Sequence, residues 1–88
     1  MTTPIERATN IGPKLAADLR TAGISTLEEL RALGYLEATR RLRAAVPTRD
    51  CVQAGLALAG AIEGVRWTRL DAAERARIRG RIAAELAR

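Results

Sequence analysis

Residues 9–23, TNIGPKLAADLRTAG, with ISTLEEL continuing over residues 24–30, decide how this chain folds. Gly12 and Pro13 make a tight turn that opens a helix. Gly12 is free to take a positive φ, while Pro13 at the first helical position presets the backbone and lacks only an N–H that has no intrahelical partner there. The helix runs to about Ala22, with Leu15, Ala16, Leu19 and Ala22 as its apolar stripe, and Gly23 stops it. Ile24 stands just outside the next helix. Ser25 reads as the N-cap of that helix and Glu28, three residues on, completes a capping box.

Outward from this stretch, residues 3–9 form a short first segment in which Pro4 occupies the first turn and Ile5 and Ala8 point inward. The third helix ends near Leu33 and Gly34. A fourth, residues 35–46, carries Tyr35, Ala38, Leu42 and Val46 on one side, and Pro47 closes it. Residues 49–64 are apolar all round, through Val52, Leu56, Leu58, Ala59 and Ile62, which places this helix in the middle of the fold. Its Gly55, Ala57, Gly60, Ala61 and Gly64 let neighbours approach closely. Asp71 and Glu74 cap a last helix whose inward stripe is Ile78, Ile82 and Leu86. Arg77, Arg81 and Arg88 share an outer arc of that helix, bordered by Glu74 and Glu85, which reads as a solvated, ion-paired face.

Composition limits what this helical chain can do. Eighty-eight residues suffice for one small domain, residues 1–88, and leave no room for a deep substrate cleft, so no enzyme is expected. Phe and His are absent, Cys51 is alone, and the aromatics are Tyr35 and Trp67. The core is therefore aliphatic. No cysteine or histidine metal site, no Cys-His or Ser-His catalytic pair and no cofactor is expected. Cys51 reads as a small buried residue, with a redox role as the alternative. The polar start MTTPIERAT and the lack of any long apolar run predict a soluble, cytoplasmic protein without a membrane span.

Basic residues outnumber acidic ones 15 to 10, for a net charge of +5, which favours a polyanionic partner. Lys14 is the one lysine among fourteen arginines, and it stands at the head of the turn. Unsatisfied N–H groups at a helix start, together with the helix dipole, attract anions. Gly12 removes the side chain that would block a phosphate, and Lys14 adds a flexible charge. Asn10, Ile11, Gly12, Pro13 and Lys14 are accordingly the candidate DNA-binding residues. The structural alternative is a tight corner in which Ile11 plugs the core. Trp67, in the loop after the central helix, is either a core anchor whose N–H seeks a carbonyl or a partner-binding ring.

The order of short segment, IGPK turn and helix is a helix-hairpin-helix pattern. NIGPKLAADLRTAGISTLEELRALG resembles the opening of the C-terminal domain of TfoX (Sxy), a family of bacterial regulators of natural competence. GYLEATRRLRA and LAGAIEGVRWTRLDAAERARI resemble its continuation, with the Glu63-Gly64 pair and Trp67. The resemblance implies a compact all-α domain of five or six helices with an N-terminal helix-hairpin-helix-like motif, and a role in regulating DNA uptake or transcription. The longer family members carry an α/β domain ahead of this one, so a separate N-terminal-type domain is an expected partner. Two functions are carried forward. One is a DNA-associated regulatory module touching duplex phosphates without sequence preference. The other is a protein-interaction or self-association module that does not touch DNA.

Overall fold

In the computed structural model of the protein, which describes residues 2–88, five helices follow a short 3-10 turn at Ile5–Arg7. They are α1 (Pro13–Thr21), α2 (Leu27–Leu33), α3 (Tyr35–Ala45), α4 (Cys51–Glu63) and α5 (Ala72–Leu86), with a second 3-10 turn at Trp67–Arg69. The fold is all-α, as the patterning predicts.

The central position of α4 follows from its composition. Every residue from Ala54 to Ala61 is buried, and α2, α3, α5 and the Trp67 turn all pack around it. On one side, Leu58 joins Ile5, Leu19, Ile24, Leu30 and Leu42, all fully buried. On the other, Leu56 meets Ile78 and Ile82 of α5. Each fully buried aliphatic side chain contributes about 1.5–3 kcal/mol relative to an exposed one, so these two clusters hold the helices together. Gly55 sets how close they come. A β-carbon there would lie 2.7 Å from Ile82 Cδ1 and 2.9 Å from Thr39 Oγ1, so α3, α4 and α5 converge on a glycine. The buried Thr39 hydroxyl donates to the Tyr35 carbonyl at 2.6 Å, one turn back, and so does not remain unsatisfied.

Two helices end by the same device. At the end of α1 the Ile24 N–H donates to Leu19 O at 2.8 Å and the Gly23 N–H to Arg20 O at 3.0 Å, with Gly23 at φ 86°. At the end of α4 the Val65 N–H donates to Gly60 O at 2.8 Å and the Gly64 N–H to Ala61 O at 3.1 Å, with Gly64 at φ 72°. These are Schellman motifs, which need the left-handed backbone that glycine supplies without a Cβ clash. In α1 the accompanying apolar contact pairs the fully buried Ile24 and Leu19.

Three local expectations are corrected. The α2 capping box uses Thr26 and Glu29 in place of Ser25 and Glu28: Thr26 Oγ1 accepts from the Glu29 N–H at 3.1 Å, and the Glu29 carboxylate accepts from the Thr26 N–H at 3.0 Å. The reason is tertiary. Residues 3–5 lie alongside residues 25–27 in an antiparallel bridge, where Ile5 N–H takes the Ser25 carbonyl at 3.0 Å and Leu27 N–H takes the Thr3 carbonyl at 2.9 Å. Ser25 therefore cannot start the helix, and Glu28 instead accepts from the Thr3 N–H at 2.7 Å. The same bridge leaves Pro4 ahead of the first 3-10 turn, outside its first helical position. Finally, Gly12 does not take a positive φ. Its backbone is extended at φ −84°, and the left-handed residue of the turn is Asn10, at φ 72°.

Candidate nucleic-acid interface

The turn from Ala8 to Pro13 owes its shape to one side chain. Asn10 Nδ2 donates to Val65 O at 2.9 Å and to Ala57 O at 3.3 Å, while its Oδ1 accepts from the Trp67 N–H at 3.2 Å. These bonds join the turn to the end of α4 and to the loop beyond it. Asparagine tolerates the left-handed backbone better than other non-glycine residues, which suits it to this position. Gly60 makes room: a β-carbon there would lie 2.5 Å from both Asn10 Nδ2 and Val65 O. Ile11 is buried in the main core. Asn10 and Ile11 thus fix the turn from behind, whereas Gly12, Pro13 and Lys14 are its exposed edge.

That edge begins α1 without a cap. Among the described residues no side chain accepts from the first turn of the helix, and Pro13 has no N–H to satisfy. The first intrahelical bond runs from the Ala16 N–H to Gly12 O at 2.9 Å. Among the described residues the N–H groups of Lys14 and Leu15 meet no acceptor. Gly12 itself is not required by the fold, because its φ is open to any residue and a β-carbon would meet nothing within 4 Å.

Charge around the edge is arranged so that Lys14 stays free. Asp18, one turn along α1, pairs with Arg49 at 2.6 Å, and both side chains are about four-fifths buried. Lys14 lines a recess with this pair and Asp50, near Val46 and Thr48, and forms no ion pair among the described residues. Most arginines are occupied. Arg40 and Arg41 bind Glu37, Arg20 binds Glu6 and Arg77 binds Glu74. Arg31 and Arg43 donate to the carbonyls of Ile62 and Leu86 at the ends of α4 and α5, where cations complement the helix dipole. The ion-paired reading of the α5 outer arc holds for Arg77 and for Arg88, which meets Glu85 at 3.3 Å.

Arg7 and Arg66 are exposed and stand in no ion pair among the described residues. They line one open groove of about 700 Å³, with Gly12, Asn10, Gly64 and Trp67. Sequence reasoning missed both, since they are far apart in the chain and neither belongs to a motif.

Two carboxylates, those of Glu6 and Glu29, are engaged by hydrogen bonds. The Glu6 carboxyl is held below its ordinary pKa by its own backbone N–H and then by Arg20, and Glu29 by the Ser25 N–H. Trp67 opens the second 3-10 turn, where a loop was expected, and is half-buried against the Leu56, Ile78 and Ile82 cluster. Its backbone N–H, where the indole was expected, makes the bond that ties this loop to Asn10. Cys51 is buried, and burial raises its thiol pKa more than Arg43 and Arg49 lower it. Among the described residues no acidic, cysteine or histidine group is placed to hold a metal ion, and no helix is long and apolar enough to cross a membrane.

These features define a small all-α domain with a helix-hairpin-helix-like turn whose exposed edge is uncapped and basic. The sequence pattern of the TfoX C-terminal domain matches residues 1–82, and the chain belongs to that family. Two crystal structures from Listeria monocytogenes share the fold. An uncharacterized protein in a triclinic form is 36% identical, with a TM-score of 0.77 over 86% of this chain and 85% of that one. A protein of unknown function in a tetragonal form is 34% identical, with a TM-score of 0.79 over 91% of this chain and 98% of that one. No functionally curated protein matches the chain.

Proposed function

We propose that this domain is a non-catalytic, DNA-associated regulatory module whose hairpin turn contacts the phosphate backbone of duplex DNA. The observation that carries this reading is Gly12. Neither backbone geometry nor packing needs a glycine there, yet it supplies no cap, so among the described residues the Lys14 and Leu15 N–H groups meet no acceptor and Lys14 itself forms no ion pair. A phosphate oxygen accepts well from such groups, and the helix dipole adds to the attraction. Asn10 and Ile11 support the contact by fixing the turn, and Gly12, Pro13 and Lys14 form it.

Contacts of this kind position a protein on DNA without reading base sequence. One turn neutralises few phosphates, so binding is weak, with a dissociation constant on the order of 10⁻⁴–10⁻⁶ M at physiological salt. In the cell the module acts within the cytoplasmic regulation of DNA uptake or transcription, in keeping with its family, and a separate N-terminal-type domain supplies the remaining affinity.

Fluorescence anisotropy of a labelled duplex, read at low and moderate salt with the wild type and Lys14→Glu, tests the proposal. The expected result is salt-sensitive wild-type binding that weakens about tenfold in the variant, an estimate for the loss of one phosphate contact and its replacement by a repulsive charge. Equal binding by the two proteins, or none by either, overturns it.

A further inference from the structure

We infer that the phosphate contact has a second half, on the other side of Gly12 from Lys14: Arg7 and Arg66 form a two-arginine clamp for the DNA backbone. This rests on the duplex-binding reading above and adds residues the hairpin turn does not contain. The two side chains come from segments far apart in sequence, one from the first 3-10 turn and one from the loop after α4. They nevertheless line the same open groove, with Gly12 on its edge. Both are exposed, and neither is drawn into an ion pair or onto a carbonyl among the described residues, unlike most arginines of the chain. A guanidinium left free in this way presents a planar fork of N–H donors that matches phosphate oxygens.

The groove walls are also held in register. Asn10 binds Val65 O and the Trp67 N–H, the residues on either side of Arg66, so the backbone that carries Arg66 is fixed to the turn that carries Gly12. Arg7 lies three residues before Asn10, in a 3-10 turn anchored by the fully buried Ile5. The clamp is therefore built before DNA arrives, and little ordering of the backbone opposes binding. Lys14 faces a different recess, with Asp18 and Arg49. The exposed edge of the turn thus separates the arginine groove from a charge-balanced recess in which Lys14 and Arg49 stand with Asp18 and Asp50.

Salt dependence of duplex binding tests the clamp, with four proteins compared: wild type, Lys14→Glu, the pair Arg7→Ala/Arg66→Ala, and a charge-matched pair, Arg79→Ala/Arg81→Ala, on exposed positions of α5. Losing two phosphate contacts lowers the slope of log K against log salt by about two. The expected result is that fall for Arg7→Ala/Arg66→Ala, with affinity at least tenfold weaker at low salt, and a wild-type slope for the α5 pair. Thermal melting should be unchanged in both pairs, because the four side chains are exposed. A wild-type slope in Arg7→Ala/Arg66→Ala while Lys14→Glu loses binding overturns the clamp and leaves the hairpin reading standing. The converse, a clamp-dependent slope with Lys14→Glu unaffected, overturns the role of Lys14 and supports the clamp. Equal losses in the two arginine pairs show a general charge effect and overturn the clamp, and no binding by the wild type overturns both.

Discussion

Helices α1 and α5 begin in opposite ways. At the start of α5 the Asp71 carboxylate accepts from the Glu74 N–H at 2.8 Å, so the protein supplies its own anion to the positive end of the helix. Asp50 does the same for α4, where its carboxylate accepts from the Gln53 N–H at 3.1 Å, and the Thr26 box does so for α2. At the start of α1 there is no such group, only Gly12. Helix α3 also starts on a glycine, but Gly34 sits at φ 81°, where other residues are strained. Gly12 has no such excuse. Three helix starts are thus closed by side chains and two, those of α1 and α3, are not, and of these two it is α1 that begins beside Lys14 and on the edge of the groove lined by Arg7 and Arg66.

The strongest way to break this contrast is to release the turn that presents the open end. Asn10→Ala removes all three bonds to the α4 end and places alanine in a left-handed backbone, and it should cost about 2–3 kcal/mol of stability, read by chemical denaturation. Asn10→Gly loses the same bonds without the backbone strain, so it should be less damaging than alanine by about 1 kcal/mol. Equal stability of the wild type and Asn10→Ala would mean that the turn does not depend on this side chain.

Opening a closed end is a smaller change. Asp71→Ala should cost about 1 kcal/mol, the usual worth of an N-cap, and should leave duplex affinity unchanged, since Asp71 does not line the groove. Loss of DNA binding in this variant would put the contact on the wrong helix.

Closing the open end has the smallest effect on stability and the sharpest effect on the proposal. Gly12→Asp gives α1 the cap that α4 and α5 already have, and it should raise stability by a few tenths of a kcal/mol. The same carboxylate would occupy the anion position and repel phosphate, so DNA affinity should fall. A variant that is more stable and binds DNA as well as the wild type would show that the amides behind Gly12 play no part.

The features legible in the sequence are those set by local chemistry. Pro13 starts α1, Gly23 ends it, and the all-round apolar character of residues 49–64 places α4 in the middle, because each depends on residue type and spacing within a few positions. Features that depend on distant chain were not legible. Nothing in residues 24–29 announces that Ser25 O will be taken by the Ile5 N–H, which moves the α2 cap to Thr26. Likewise, nothing near Asn10 says that its amide will reach Val65 and Trp67 and take the left-handed position expected of Gly12.

Residue type and spacing set the helices, their stops and the aliphatic core, since propensity, hydrophobic period and glycine or proline placement act over short range, and the IGPK turn with the segments around Glu63-Gly64 and Trp67 carries the family. Local spacing pairs Arg77 with Glu74 and Arg88 with Glu85, but for charges that meet across the fold only the tertiary structure settles which are spent and which are free. Asp18 is neutralised by Arg49 from beyond α3, Glu6 binds Arg20, and Arg7 and Arg66 meet at one groove. The physical reason is that a charge's availability depends on what lies within a few ångströms of it in space, and the fold brings residues from both ends of the chain to the edge of a single turn.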